Sequence, residues 1–307
     1  MITFGPIPSR RLGRSLGINN IPPKVCSYSC VYCQVGLTNQ LSIDRKEFYK
    51  PMMIYNEVKN RLDELKMKSE TIDYLSFVPD GEPTLDINLF ETIEHLQNFG
   101  IKIAVFTNSS LLWKKEVQAS LKLADYVSVK IDAIDEITWK KINHPSTLIN
   151  LEKVLEGILE FKESYNGKLV TETMLIDGLN DNEDELIKIA HFIVKLKPEI
   201  AYLTIPTRPT PLKNIHSPNK ERVNSFYKII KSIYPETALL NLYEGNEFSV
   251  SDETEESLLS IMAVHQMRKD AVEKYLKKSN SKWNTINKLI DDKKIKELFY
   301  DGNTFYK

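Results

Sequence analysis

Residues 26–33 read Cys26-Ser27-Tyr28-Ser29-Cys30-Val31-Tyr32-Cys33, and they hold all three cysteines of the 307-residue chain. Three thiolates this close in sequence can hold three irons of one cubane iron–sulfur cluster, soft donors on a soft metal. The fourth iron then has no cysteine, and an iron without a protein ligand is open to something else. A disulfide framework needs pairs, and three cysteines leave one over. A zinc site usually takes four protein ligands, and the nearest histidine in sequence is His95. A distant histidine folding in, or three unrelated buried thiols, are the remaining alternatives.

Working outward, residues 15–21 read as a short strand stopped by Pro22-Pro23, so the cysteines lie in the loop after a strand. The opening, Pro6-Ile7-Pro8-Ser9-Arg10-Arg11-Leu12-Gly13-Arg14, reads as irregular, punctuated by Pro and Gly. Downstream the pattern alternates. Helical spacing marks 52–67 (Ile54, Val58, Leu62, Leu65), then Leu89, Ile93 and Leu96, then 114–123, then the stripe Leu151, Val154, Leu155, Ile158 and Leu159. Asn182 with Glu185 predicts a capping-box helix start, and Val223, Phe226, Tyr227 and Ile230 mark another helix. Between them, β-rich runs fall at 73–78, 101–106, 126–131, 169–175 and 201–205. About six β/α units predict a parallel sheet, doubly wound or curved into a barrel. Chemistry in such folds gathers in loops at the C-terminal ends of the strands, where the cysteines fall.

The alternation ends near residue 234, which divides the chain into 1–235 and 236–307. An apolar connector is expected over 239–250, then helices over 252–263, 268–278 and 282–291. Two strands, 294–300 and 304–306, flank Asp301-Gly302, a strong hairpin turn. Three helices and a hairpin is the order of a winged helix; the other reading is a cap that packs on the barrel and binds nothing.

Hydrophobic content of 42% and charged content of 27% describe an ordinary globular chain. No apolar run approaches a membrane span, and residues 1–5 lack the order of a signal peptide. Free thiols suit a reducing compartment, so a cytoplasmic protein is expected. The net charge of -1 hides two basic ends. Residues 1–50 hold Arg10, Arg11, Arg14, Lys24, Arg45, Lys46 and Lys50 against Asp44 and Glu47, and residues 262–307 hold 11 Lys/Arg against 6 Asp/Glu. That permits a phosphate-bearing partner without demanding one.

The spacing C-x3-C-x2-C, with Asp80-Gly81-Glu82-Pro83-Thr84 after the second strand, resembles the radical S-adenosylmethionine (SAM) superfamily. The resemblance implies an α/β fold, an open partial (β/α)6 barrel. It implies that Cys26, Cys30 and Cys33 hold a [4Fe-4S] cluster whose open iron is chelated by SAM. Reductive cleavage would then give a 5′-deoxyadenosyl radical that abstracts hydrogen from a substrate, the electron coming from a flavodoxin or ferredoxin. Gly81, Glu82 and Pro83 match the family's "GGEP" element, whose backbone holds the SAM amino group; Asp80 stands where its first glycine usually is. Tyr32 falls where the family has an aromatic residue near the adenine. Thr107 and Asn108 end the third strand, and Ser128, Lys130 and Asp132 alternate to one face at the end of the fourth. In the superfamily these positions help bind SAM.

Each site residue has a plainer reading. Gly-Glu-Pro alone is an ordinary turn, Tyr32 a core aromatic, and the strand-end residues solvated loops or salt bridges. Glu172, on the fifth strand, would need a partner or a substrate for its charge if it faces the interior. Arg208 could clamp a substrate phosphate or carboxylate, or lie on the surface. The five histidines show no metal-ligand spacing.

Pro6-Ile7-Pro8-Ser9-Arg10-Arg11-Leu12-Gly13, Leu16-Gly17-Ile18, residues 78–85 and Val264-His265-Gln266-Met267-Arg268 together resemble the Fe–S oxidoreductases related to wyosine synthases. Wyosine synthases carry further cysteines for a second cluster and act on a transfer-RNA guanosine; this chain has no further cysteine. Three functions follow as expectations: radical SAM chemistry on RNA, radical SAM chemistry on a peptide or protein, and a non-catalytic Fe–S redox sensor that binds nucleic acid.

Overall fold

Strands that are apolar on both faces must be covered on both faces, and here they are. The computed structural model describes residues 2–241, 248 and 254–307. The chain order is β1 (Thr3–Ser9), β2 (Gly13–Ile18), the two-residue pair β3 (Val25–Cys26) and β4 (Gln40–Leu41), α1 (Pro51–Met67), β5 (Tyr74–Phe77), α2 (Leu89–Gln97), β6 (Lys102–Thr107) and α3 (Lys115–Leu121). Then come β7 (Tyr126–Lys130), α4 (Glu136–Asn143), α5 (Leu151–Ser164), β8 (Lys168–Met174), α6 (Glu183–Leu196), β9 (Ile200–Thr204), α7 (Lys220–Ile233) and β10 (Thr237–Leu240).

Eight of these strands form one sheet in the order β1-β2-β5-β6-β7-β8-β9-β10, parallel from β2 onward. Ile103, Val105, Val127, Val129 and Leu169 point to one face and share a core with α1, α2, α3 and α5. Ala104, Tyr126, Val170 and Tyr202 point to the other and meet Leu12 in a single cluster. Side chains from four successive strands gathered in one cluster with Leu12 fit a sheet that curls toward that face. The partial-barrel expectation is met, with the C-terminal ends of the parallel strands β2 and β5–β10 on one rim.

Two readings change. The opening segment is not irregular: β1 pairs antiparallel with β2, with a register shift between Phe4 and Ile7. Pro6 and Pro8 cannot donate to a ladder, but an edge strand needs only one bonded side. Residues 239–240, read as connector, belong to β10, so the sheet runs past residue 235 to Leu240. The rest of the expected connector, apart from Phe248, lies outside the described residues. α4 went unread. Asn182 caps α6 as expected by accepting from the Glu185 amide at 3.0 Å, but the Glu185 carboxylate takes the Ile134 and Asp135 amides instead of closing a capping box.

The C-terminal part holds α8 (Thr254–Val264), β11 (Met267–Arg268), α9 (Lys269–Lys278), α10 (Asn284–Asp291), β12 (Glu297–Tyr300) and β13 (Asn303–Tyr306). The three helices and hairpin match expectation; β11, which pairs with β13, does not appear in the sequence reading. Asp301 (φ 46°) and Gly302 (φ 72°) make the two-residue turn, where glycine takes positive φ without penalty. Ile7 of β1 packs against this part's own core. Among the described residues no helix is long and apolar enough to cross a membrane.

Candidate functional site

β3 ends on Cys26, and the chain then loops through Cys30 and Cys33 on the C-terminal rim. One side of the loop is held by the end of α4: the Ser29 amide donates to the Asn143 carbonyl at 3.0 Å and the Val31 amide to the Ile142 carbonyl at 2.9 Å. Tyr28 meets Trp139 of α4 edge-to-face at 5.8 Å. The other side is held by residues 80–82, where the Lys24 amide donates to the Asp80 carbonyl at 2.6 Å and the Glu82 amide to the Val25 carbonyl at 3.1 Å. A Cβ on Gly81 would lie 1.9 Å from the Val25 oxygen. Only glycine lets these two backbones approach so closely.

The three sulfurs line one cavity of about 370 Å³. The Asn108 side-chain amide lies 3.5 Å from Cys26 Sγ and that of Asn143 3.4 Å from Cys30 Sγ, both as donors. Burial, with Asp132 and Cys33 adding, pushes the Cys30 thiol up to about 12. Burial and then Glu82 push Cys26 up as well. A coordinated metal reverses this, because it holds the thiolate outright. No group of three or more His, Cys, Asp or Glu among the described residues converges on a single metal ion. Three soft donors around one cavity, two of them with amide N–H partners, suit one thiolate per iron of a cluster.

Carboxylates brace the rim. Glu82 is buried, and its oxygens accept from the Thr84 amide (3.1 Å), the Thr84 and Thr107 hydroxyls (2.6 Å each) and the Asn108 amide (2.7 Å). Its carboxylate therefore ties residues 82–84 to the end of β6, and the loop offers the cavity its backbone. Asp132 accepts from Tyr32 Oη, from Asn143 Nδ2 at 2.8 Å and from the Met174 amide at 2.9 Å. It thereby aims Asn143 at Cys30.

Glu172 sits between Arg11 and Lys130, whose Nζ is 3.0 Å away. Burial opposes the Glu172 charge, but Arg11 and then Lys130 outweigh it and hold the carboxyl far below the usual carboxylate range. Burial likewise opposes the Lys130 charge, but Asp132 and Glu172 outweigh it and hold the ammonium above its ordinary value. Lys130 also lies over the Tyr32 ring at 5.0 Å, and Arg11 over Phe106 at 4.6 Å.

Of the residues singled out in the sequence, Tyr32, Gly81, Glu82, Thr107, Asn108, Ser128, Lys130, Glu172 and Arg208 line the cavity with the cysteines. Pro83 and Asp132 do not. Pro83 opens a 3-10 turn and its carbonyl accepts from Asn20 at 3.0 Å; Asp132 braces from behind. Arg208 is buried rather than on the surface, donating to Gln34 Oε1 at 2.8 Å and standing 2.8 Å from His265 Nε2. The sequence reading missed Arg11, Asn143 and the C-terminal clamp on Gln34. Gln266 Nε2 and Lys307 Nζ both donate to the Gln34 carbonyl, at 2.9 and 2.7 Å, beside Cys33. Their only sequence signal was local: Arg10-Arg11 in the opening motif and Gln266 in the Val264–Arg268 motif.

The family model described as the Radical SAM superfamily matches residues 20–193. The UPF0026 protein MJ1312 of Methanocaldococcus jannaschii is 46% identical over 99% of this chain and 95% of its own length. A probable dual-specificity RNA methyltransferase RlmN of Shouchella clausii is 23% identical over 67% of this chain and 59% of its own. The structure of TYW1 with a lysine-pyruvate adduct bound superposes with a TM-score of 0.54 at 16% identity, covering 71% of this chain and 73% of that one. At that identity the likeness is one of fold.

Gly81→Ala forces two backbones apart, so it is expected to cost about 3 kcal/mol or more. The expected result is a lower melting temperature and loss of iron uptake on reconstitution; parental values for both would refute the role of this contact. A second expectation concerns Asp80, which is buried and whose Oδ1 has no hydrogen-bond partner among the described residues. Burial raises its pKa to about 7 against the opposing pull of Lys307 and Lys24, while the unfolded side chain titrates near 4. Folding takes up a proton between those values, so stability falls as pH rises through them. In metal-free protein, Asp80→Asn is expected to melt higher than the parent at about pH 7.5, the gap narrowing as pH falls and closing toward about pH 4. A gap independent of pH would contradict this.

Proposed function

The chain belongs to the radical SAM superfamily, and from that premise we propose that it modifies RNA by radical chemistry at the cavity of Cys26, Cys30 and Cys33. The observation that carries the reading is this one cavity, where three cysteine sulfurs share the wall with the polar ends of β6, β7 and β8. A [4Fe-4S] cluster with bound SAM would supply a 5′-deoxyadenosyl radical once reduced by a flavodoxin or ferredoxin.

The chain's own residues prepare that chemistry. Cys26, Cys30 and Cys33 would hold three irons, and Asn108 and Asn143 would donate to two of the sulfurs. Backbone at Gly81 and Glu82, fixed beside Val25, would meet the SAM amino group. Thr107, Asn108 and Ser128 offer polar groups to ribose, and Tyr32 an aromatic face to adenine. Lys130, held as an ammonium, suits a carboxylate; a lysine acting as an amine nucleophile would have to be neutral. Glu172, held ionised, and Arg208, fixed by Gln34 and His265, face the remaining space and would contact the substrate. The C-terminal contacts on Gln34 fix the backbone beside Cys33 at the edge of the cavity.

RNA is favoured by the sequence likeness to RlmN, described as an RNA methyltransferase, over two thirds of the chain. It is favoured too by the basic ends and a C-terminal part whose helix and hairpin order resembles a winged helix. The test is anaerobic: reconstitute the cluster, add SAM and dithionite, and quantify 5′-deoxyadenosine with and without total RNA. Product that rises with RNA and is absent in Cys30→Ala is expected. Lys130→Gln should raise the SAM concentration needed for half-maximal yield about tenfold, as loss of one charge-assisted contact does. No product under any condition, with the cluster loaded and reduced, would overturn the enzymatic reading; product stimulated only by peptide would overturn RNA.

A further inference from the structure

Beside the cluster cavity lies a larger groove of about 890 Å³ between the loop after β9 and the sheet of the C-terminal part. We infer that this groove binds a single-stranded segment of RNA and leads it to the cluster cavity. The inference rests on the RNA reading and adds the place where RNA docks.

Three observations carry it. The first is charge: Lys213 and Lys220 stand exposed on one wall, with no ion pair to either among the described residues. Arg268 stands on the other wall, paired with Asp270 at 3.0 Å. Asp301 is the single carboxylate among the described lining residues. With Arg268 held by Asp270, the two lysines outnumber the one lining carboxylate, a positive balance that suits a phosphate chain.

The second is an aromatic out of place. Phe299 is 77% exposed on β12, the edge strand of its sheet, and faces the groove. A large exposed aromatic facing two lysines across a groove is the kind of stacking platform that single-stranded nucleic acid uses, since every base has a π face. A peptide could pair with the free edge of β12, but that pairing makes no use of Lys213 and Lys220, which a phosphate chain would engage.

The third is continuity. Ile205 and Thr207 line both the groove and the cluster cavity. The Tyr300 hydroxyl donates to the Pro206 carbonyl at 3.2 Å, pinning the two walls at the junction. The inner cavity, at about 370 Å³, is too small for a polymer. A macromolecular substrate must therefore lie outside it and insert one group, and the groove opens where that insertion would start.

The test is fluorescence anisotropy of the full, reconstituted chain with a labelled single-stranded RNA of about a dozen nucleotides, titrated over a range of salt. Replacing both Lys213→Gln and Lys220→Gln should lower the slope of log affinity against log salt by about 1.4, two phosphate contacts' worth. Phe299→Ala should weaken binding about tenfold with little change in that slope. All three side chains are exposed, and an unchanged melting temperature certifies the fold. RNA binding by the parent that both variants retain would overturn the groove and leave the RNA reading standing. A parent that binds no RNA would overturn both. Capture of an unstructured peptide, lost in Phe299→Ala while RNA fails to bind, would give the groove to a peptide and overturn the RNA assignment.

Discussion

The contact on which the rest of the site depends is Gly81 against the carbonyl of Val25. It locks the loop after β5 to the strand that delivers Cys26, with hydrogen bonds at Lys24 and Glu82 on either side. From that clasp Glu82 reaches Thr107 and Asn108 at the end of β6, and Asn108 turns back to Cys26. A second chain runs from Asp132 through Asn143 to Cys30. Two cysteines are thus referenced to the parallel sheet through buried carboxylates, and the third through the tail's hold on Gln34. A cofactor site built on a loop needs such outer bracing to keep its geometry.

Inside the cavity, charges are kept because they are shared. Glu172 is ionised only because Arg11 and Lys130 flank it, and Lys130 stays charged only because Glu172 and Asp132 face it. Removing one partner would strand the others in a poorly solvated space, which costs far more than the pair itself contributes. In the proposed reaction the set would serve as a preorganised polar floor for a zwitterionic ligand rather than as a device for stability. Burial raises the Cys30 thiol above it, and a bound metal would hold it as a thiolate.

Much of this was legible in the sequence. Six parallel strands, their helices and the placement of the cysteines on the rim followed from period and turn signals, and the Asp301-Gly302 turn from residue type alone. What escaped was non-local. β1 was hidden because prolines argue against strands except at an edge, and edges are a property of the whole sheet. α4 was passed over, although Asp135 caps it, and with it went Asn143. Glu82 and Asp132 were legible as site positions, yet nothing in the sequence says that their oxygens turn inward to amides and hydroxyls. Arg11 meets Glu172 across 161 residues, a distance no window of sequence can span.

The central claim is that three cysteines, and no fourth, leave one iron open for SAM. It is tested most directly by electron paramagnetic resonance of the reduced, reconstituted protein, with and without SAM carrying oxygen-17 in its carboxylate. One cluster signal is expected, which shifts on adding SAM and gains a coupling to the labelled oxygen. A signal left unchanged by SAM, with no such coupling, would mean that every iron already has its ligand and would contradict it.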